Sequence, residues 1–528
     1  MTISTSVHTV QPPFGDLYWK EEFPKITVDD DTLWELTQKA ELPVLLASLA
    51  IALDDFELLK PEYSPPLPPL GVALKPHGGL DPEAVQRGQQ EAFEAFKRLR
   101  DVSPVSVAQL SQEKTDRLLD WFTHGRTTQD PSWAGQLKHE FPLAADRNGS
   151  ADWHYSQYSD QHTEPFETLI VGAGISGIAA AYRLQEAGLP YTWIEASHRV
   201  GGTWWKNHYP GVRLDTPTYG YSFSFAQRTD WPHQFAKGEE VLDYLETVAE
   251  KAGLADDIQL NTALVRAEWI EDESVWLSTF RNPDGTQSQQ TFNAIMTGVG
   301  QLDHPFIPEW PGQDTFTGAQ MHSAEWNHDV DLKGKRVAVI GTGASAYQIV
   351  PSIVDDVEQL YLFQRSAPWM LPAPTYHDPM SDTAQWLHDN VPVYGHLFRL
   401  FVTAGGIDGR IHIAEADENW HGTPQSVSQA NEDFRQAIIE RMKEQFEGRP
   451  DLLEKAIPHY PPSAKRMLRD NGVWARALKA EQTEVISEGL DSFTPTGLVT
   501  GDERELDVDV VIYATGFRPS DYLDPIEI

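Results

Sequence analysis

Two glycine-rich turns, each set between a short apolar strand and a helix, constrain the fold of this 528-residue chain more than any other feature. The first lies in ETLIVGAGISGIAAAYRLQEAGLPYTWIEA (167–196), and the second lies in KRVAVIGTGASAYQIVPSIVDDVEQLYLFQR (335–365). Each segment predicts the order strand, turn, helix, strand, which is the nucleotide-binding half of a doubly wound sheet. We therefore expect an α/β fold with two Rossmann-like dinucleotide-binding domains.

The first turn has the pattern Gly172-x-Gly174-x-x-Gly177. The first glycine permits the tight turn, the second lets the backbone approach a pyrophosphate, and the third lets helix and strand pack closely. Glu195 ends the following strand, where a carboxylate can accept hydrogen bonds from ribose hydroxyls. The strand–turn–helix context and this acid together predict a functional dinucleotide site.

The second turn has the pattern Gly341-x-Gly343-x-x-Ala346, but its second strand ends in Arg365-Ser366 instead of an acid. An arginine at this point can pair with a 2′-phosphate, which a carboxylate would repel. The pattern therefore predicts NADPH rather than NADH, although an arginine that is simply exposed after a strand is the alternative. Two such folds in one chain indicate FAD in the first and NADPH in the second.

The charge and composition of the chain exclude several kinds of site. It has 79 acidic and 41 basic residues, so its formal net charge is −38, and we expect neither nucleic acid nor an anionic membrane as a partner. Absence of cysteine excludes disulfides, thiolate metal sites and a CxxC redox pair. The 18 histidines show no HExxH motif or paired ligand spacing, so we predict no metal site.

The residues before the first turn predict an α-helical N-terminal extension, 1–150. Asp29 to Asp31 are positioned to cap its first helix, and helical patterns follow at 83–100 and 105–122. The apolar stretch Leu42 to Leu53 is too short to span a bilayer and predicts a buried helix. Its partner surface is either a second copy of the chain, in a homodimer, or the chain's own flavin domain. No signal peptide is recognisable, so we expect a cytoplasmic protein.

The remaining residues are divided at changes of pattern. We expect the first part of the FAD-binding domain at 165–325 and an NADPH-binding domain with a helical insertion at 326–490. Residues 491–528 are expected to return to the FAD-binding domain. They include the segment DVVIYATGF (509–517), in which a strand ends in a small-residue turn that can pass near a flavin.

Between the two glycine turns lies the pattern Phe316-x-Gly318-x-x-x-His322-x-x-x-Trp326. It resembles the FxGxxxHxxxW fingerprint of the Baeyer–Villiger monooxygenases, although Asn327 stands where that family has Pro or Asp. The resemblance extends from about residue 165 to the end of the chain. The N-terminal extension, with DDDTLWELTQKAELPVLLASLA, resembles that of the 4-hydroxyacetophenone monooxygenase subgroup.

The resemblance implies roles for residues that no local pattern would single out. Arg466 matches the family's catalytic arginine, Asp215 matches an acid that supports it near the flavin, and Lys465 matches a lysine that contacts the 2′-phosphate of NADPH. The segment GGTWWKNHYPGVRLDTPTYGYSFSF matches the family's flavin-contacting stretch. Its implied cofactor contacts are Gly202, Thr203 and Trp204. His322 and Trp326 match residues that couple NADPH binding to domain movement.

The implied activity is an NADPH- and O2-dependent conversion of a ketone, such as an aryl ketone, to an ester or lactone through a peroxyflavin. A guanidinium suits this chemistry because it stabilises an anionic oxygen without giving up a proton. A flavin monooxygenase that oxidises sulfides or amines is the alternative enzyme. Members of the family continue beyond the position of Ile528, so a truncated chain that is inactive, or that acts as an interaction protein, is the third hypothesis.

Overall fold

The computed structural model describes residues 17–20, 22–66, 76–129, 131–144, 154–160 and 165–528. Two separate parallel sheets, each carrying one glycine turn, form the α/β body, and helices from the N-terminal residues pack beside them. The expected fold class, two Rossmann-like units with an α-helical N-terminal extension, is therefore confirmed. Among the described residues, no helix is both long and apolar enough to cross a lipid bilayer.

The described residues between 17 and 160 form what we call the N-terminal module. Its helices are α1 Asp30–Lys39, α2 Leu42–Ala52, α3 Pro82–Val102, α4 Gln112–Phe122, α5 Arg126–Gln129, α6 Pro131–His139 and α7 Ser156–Ser159. Two short strands, β1 Glu22–Phe23 and β2 Val105–Ser106, pair antiparallel. The side chain of Asp29 caps α1 by accepting a hydrogen bond from the backbone N–H of Thr32.

The helical pattern expected over 105–122 begins later than the sequence indicates. Val105 and Ser106 pair with β1, and the helix starts only after Ser111, whose hydroxyl accepts from the backbone N–H of Lys114. A serine followed by a polar turn is a strong helix N-cap, so the helix begins there.

The first sheet has the strand order β5-β4-β3-β9, all parallel. These strands are β3 Thr168–Val171, β4 Tyr191–Ile194, β5 Ile258–Gln259 and β9 Ala294–Thr297. An antiparallel ribbon of β6 Ala263–Ile270, β7 Val275–Arg281 and β8 Gln287–Phe292 lies beside it. The helices that accompany these strands are α8 Ile175–Glu186, α9 Thr203–Lys206 and α10 Gly238–Lys251, and we call this part of the molecule the first half.

The second sheet has the parallel order β10-β19-β11-β12-β15. These strands are β10 Ala319–His322, β11 Arg336–Ile340, β12 Gln359–Phe363, β15 Thr483–Ile486 and β19 Val510–Tyr513. Smaller pairings join β13 Met370–Pro372 to β14 Leu468–Asp470, and join β16 Leu490–Thr494, β17 Gly497–Thr500 and β18 Glu505–Asp507. The second sheet and its helices form what we call the second half. These helices are α11 Ala344–Ile353, α12 Asp382–Asn390, α13 Tyr394–Ala414, α14 Gln429–Gln445, α15 Pro450–Ala456 and α16 Val473–Lys479.

Two expected domain boundaries differ from the structure. β10 lies within 165–325 but belongs to the second sheet, and β19, expected in the FAD-binding domain, inserts between β10 and β11. Only the residues after β19 turn back to the first half, where the backbone N–H of Glu527 donates to Val265 in β6. The local pattern at 509–517 identified a strand, but a strand's sequence does not specify which sheet it joins.

The N-terminal module packs against the helical insertion of the second half. Ten of the eleven residues of α2 are buried, and one continuous apolar core joins this helix to α3, α12 and α13. The apolar residues of α2 are thus covered within the same chain by α3, α12 and α13. The flavin domain, one of the two expected partner surfaces, does not contain these helices.

Candidate active site

The first glycine turn is held by close backbone contacts. Gly172 has a φ of +99°, and a Cβ atom built on it would lie 2.5 Å from the carbonyl oxygen of Gly298. A Cβ on Gly177 would lie 1.8 Å from the carbonyl oxygen of Gly172. Glycine is therefore the only residue that fits at either position, which leaves the N-terminus of α8 open toward the neighbouring space.

Glu195 is buried at the end of β4 and closes this turn. One carboxylate oxygen accepts from the backbone N–H of Ala173 at 2.7 Å, and the other accepts from the backbone N–H of Ser197 at 2.8 Å. These bonds place the carboxylate beside the glycine turn, at the position from which it can meet ribose hydroxyls.

A cavity of about 730 Å³ runs from the first glycine turn to the second. The residues expected from the sequence that line it are Gly172, Gly174, Glu195, Gly202, Thr203, Trp204, Asp215, Gly343 and Arg466. Both halves of the molecule contribute to its wall, which is the arrangement needed to bring two nucleotides together.

Other expected residues lie outside the cavity wall. Gly177 and Ala346 support helix packing, and a Cβ on Gly341 would lie 2.4 Å from the carbonyl oxygen of Ala514. Arg365 and Ser366 follow β12, and neither lines the cavity.

Arg466 and Asp215 form a bidentate charged contact in the cavity wall. The guanidinium makes two parallel hydrogen bonds, with Nε and Nη2 each 2.7 Å from a carboxylate oxygen. This bond raises the pKa of Arg466, so its charge is permanent. The Arg466 side chain is 61% exposed while that of Asp215 is 20% exposed. The acid therefore anchors an arginine whose remaining N–H groups stay accessible.

Lys465 contacts the residues that follow β12, whereas its neighbour Arg466 contacts Asp215. Its ammonium donates to the hydroxyl of Ser366 at 3.1 Å and lies 4.5 Å from the centre of the Tyr460 ring. Arg365 is exposed beside it and makes no ion pair with any residue in the described ranges. The structure thus brings Lys465 to a pair of residues that lie about a hundred positions earlier in the sequence.

The motif that carried the resemblance occupies the junction between the halves. His322 is buried, and its Nε2–H donates to the carbonyl oxygen of Gly516 at 2.9 Å while its Nδ1 accepts from Ala324. Burial lowers the pKa of His322, so the ring is neutral with a fixed tautomer. Since Gly516 lines the cavity, His322 ties the motif to the cavity wall. Phe316 and Trp326 are core residues.

Sequence reasoning missed Gln348, a cavity residue on α11. Its side-chain oxygen accepts from the Tyr209 hydroxyl at 2.9 Å, and its amide donates to the carbonyl oxygen of Arg213 at 2.9 Å and to the Tyr376 hydroxyl at 3.1 Å. It therefore fastens the segment leading to Asp215 onto the second glycine-turn helix. A glutamine inside a helix gives no local signal of such a role.

Tyr221 lies within the stretch that resembles the family's flavin-contacting segment but was not singled out, and it lines the cavity near the charged pair. Its hydroxyl accepts from Trp204 Nε1 at 3.1 Å. Burial raises the pKa of Tyr221, and the charges of Asp215 and Arg466 act on the same hydroxyl. Over the residues that can be described, no three acidic or histidine side chains converge to hold a metal ion.

The sequence of this chain is similar to that of several known proteins. The family model described as flavin-binding monooxygenase-like matches residues 167–377. An uncharacterized monooxygenase of Sinorhizobium fredii is 33% identical over 501 residues, covering 94% of this chain and 72% of that protein. This alignment includes most of the N-terminal module. A Baeyer–Villiger monooxygenase of Pseudomonas aeruginosa is 36% identical over 360 residues, covering 67% of this chain but only 64% of its own length.

Two solved structures show the same architecture. OTEMO in complex with FAD and NADP is 27% identical, with a TM-score of 0.57, and the match covers 68% of this chain and 74% of that one. Oxidized steroid monooxygenase bound to NADP is 29% identical, also with a TM-score of 0.57, over 69% of this chain and 74% of that one.

Proposed function

This chain belongs to the flavin-binding monooxygenase-like family, and from that premise we propose that it is a Baeyer–Villiger monooxygenase using FAD, NADPH and O2. Its products would be esters or lactones formed from ketones. The single observation that carries the proposal is the bidentate pair of Arg466 and Asp215 in the wall of a cavity that reaches both glycine turns.

The residues around the first turn fit FAD. Any Cβ at Gly172 or Gly177 would collide with backbone, so the open space at the start of α8 is available to a pyrophosphate. The Glu195 carboxylate, beside this turn, would accept hydrogen bonds from the ribose hydroxyls. When bound, FAD would supply the redox chemistry, with NADPH as its reductant and O2 as the source of oxygen.

Arg466 would stabilise negative charge on the reacting oxygens. Its guanidinium keeps its proton, so it can hold an anionic oxygen by charge and hydrogen bonds without neutralising it. Asp215 fixes the orientation of that guanidinium before substrate arrives, which reduces the reorganisation needed during the reaction.

Three residues of the second half would bind the 2′-phosphate of NADPH. Arg365, Ser366 and Lys465 together offer two positive charges and a hydroxyl to a 2′-phosphate. In a chain with a net charge of −38, such a local basic group is needed to offset repulsion of an anionic cofactor.

Aryl ketones are the substrate class we propose, because the N-terminal extension resembles that of the 4-hydroxyacetophenone monooxygenases. The decisive experiment incubates the FAD-loaded chain with NADPH, O2 and acetophenone and analyses the product by mass. We expect a phenyl ester with one added oxygen. Arg466→Ala should lower kcat about 10²–10³-fold, the usual effect of removing one group that stabilises a transition-state anion.

The matched control is Arg476→Ala, which removes an exposed arginine of α16 that is paired with Asp355. It should leave turnover unchanged. Ester formation that survives in Arg466→Ala would contradict the assigned role. Sulfoxide or hydrogen peroxide as the sole product would instead favour the heteroatom-oxidising alternative.

A further inference from the structure

We propose that Arg399, in α13, is a positioning residue through which the N-terminal module holds one wall of the cavity. The segment concerned is residues 218–222, of which Tyr221 lines the cavity, and we call it the wall loop. The inference rests on the proposed function only in assuming that the cavity binds a flavin.

Arg399 lies where three parts of the molecule meet. It is 6% exposed. Its Nε and Nη2 lie 2.7 and 2.5 Å from Oε2 of Glu140, which directly follows α6 of the N-terminal module. Its Nη1 donates to the carbonyl oxygen of Tyr219 and to the hydroxyl of Ser222, both at 2.9 Å. One buried guanidinium therefore connects the module to two points of the wall loop.

The chemistry of this contact makes it specific to arginine. A buried guanidinium cannot lose its proton, so its charge must be matched and its donors satisfied. Glu140 supplies the charge, and the wall loop accepts the remaining hydrogen bonds. A lysine would keep the charge but has one nitrogen, which cannot reach all three partners in this planar arrangement.

The start of the wall loop is fixed independently of Arg399, because the backbone N–H of Thr218 donates to the carbonyl oxygen of Gln234 at 2.9 Å and its hydroxyl donates to the same oxygen at 2.8 Å. The Tyr219 ring is buried 4.8 Å from the ring of Phe398 and shares a hydrogen bond with His388. These contacts hold the side that faces α13. Arg399 holds the loop's backbone and its far end, next to Tyr221.

Tyr221 transmits the loop's position to the site. Its hydroxyl accepts from Trp204 in the flavin-contacting segment, and the two rings meet edge to face at 5.6 Å. A shift of the wall loop would therefore move a ring that lies beside Trp204 and near the pair of Arg466 and Asp215. This gives the N-terminal module an influence on the flavin site, although none of its described residues contributes to the cavity lining.

The test compares Arg399→Met, Arg399→Lys and Ser222→Ala in the full chain. The matched control is Arg228→Met, because Arg228 is similarly shielded and paired with Asp230 and Asp243 but does not touch the wall loop. The readouts are the thermal midpoint, the visible circular dichroism of bound FAD, FAD affinity, and amide hydrogen exchange of the wall loop without FAD.

We expect Arg399→Met to speed exchange in the wall loop, alter the flavin spectrum and weaken FAD binding about tenfold, the effect of losing one well-placed hydrogen-bonded contact. Ser222→Ala should change exchange and spectrum in the same direction with an unchanged midpoint. Arg399→Lys should restore the midpoint but not the spectrum. Arg228→Met should behave as wild type in exchange and spectrum.

Three results would overturn the inference. They are a lower midpoint in Arg399→Met with normal wall-loop exchange, full rescue of exchange and spectrum by lysine, and the same spectral change in Arg228→Met. Should the wild-type chain bind no FAD, the proposed function fails while amide exchange of the variants still decides the role of Arg399.

Discussion

Substitution of Glu41 should strongly change the pH dependence of stability. It immediately precedes α2 and lies against α13, where its backbone N–H donates to the hydroxyl of Tyr394. Its side chain is 17% exposed, and within the described part of the chain its buried Oε1 accepts no hydrogen bond. Burial raises the pKa of Glu41 to about 8, against a partial opposing effect of the backbone N–H groups of His77 and Gly78.

The size and sign of the effect follow from proton linkage. The carboxyl's ordinary pKa is 4.5, and each tenfold change in its proton affinity corresponds to about 1.36 kcal/mol. Below pH 4.5 the carboxyl is protonated in both states and costs nothing. As the pH rises toward 8 the unfolded chain loses its proton first, so the folded state loses up to about 5 kcal/mol. Opening of the interface to water would limit the loss.

Glu41→Gln removes this titration while keeping the shape of the side chain. Thermal midpoints of wild type and variant should coincide near pH 5 and separate by pH 9, with the variant more stable by several degrees. The matched control is Glu35→Gln, which changes an exposed carboxylate of α1 paired with Lys39. Midpoints of wild type and Glu41→Gln that stay parallel from pH 5 to 9 would refute the desolvation argument.

Two further predictions concern the nucleotide sites. Gly177→Ala should abolish FAD retention because its Cβ would overlap the carbonyl oxygen of Gly172. Gly343→Ala meets open space, so it should keep FAD but raise the KM for NADPH. Absorbance of bound flavin and steady-state kinetics check both variants, and a yellow Gly177→Ala protein would contradict the packing argument. Arg365→Ala and Lys465→Ala should each raise the KM for NADPH about tenfold with little change for NADH; equal effects on both coenzymes would argue against a 2′-phosphate contact.

Local patterns predicted those parts of the fold that depend on local geometry. The two glycine turns and their flanking strands follow from steric limits that a few neighbouring residues impose, and the buried helix α2 follows from a continuous apolar run. The pairing of β19 depends on which sheet edge is available in three dimensions, and nothing in DVVIYATGF encodes that.

The residues of the candidate site also fall into two groups, those that local spacing predicts and those that only the fold or the resemblance brings together. Gly172 and Glu195 could be identified from spacing, but Asp215 and Arg466 are 251 positions apart and were connected only through the family resemblance. Gln348 and Arg399 carry no motif, because their roles come from partners distant in sequence. Such residues become visible only when the fold brings their hydrogen-bond partners together.

The position of β19 determines the order in which the second sheet can be completed during synthesis. This strand lies between β10 and β11, yet it is the last of the five to leave the ribosome. Until residues 510–513 emerge, β10 and β11 have no common neighbour, and each presents an unpaired backbone edge. The nascent chain must therefore carry an open gap between β10 and β11 while the helical insertion and β12 to β18 are made. Until that gap closes, the facing edges of β10 and β11 are open to pairing with another chain.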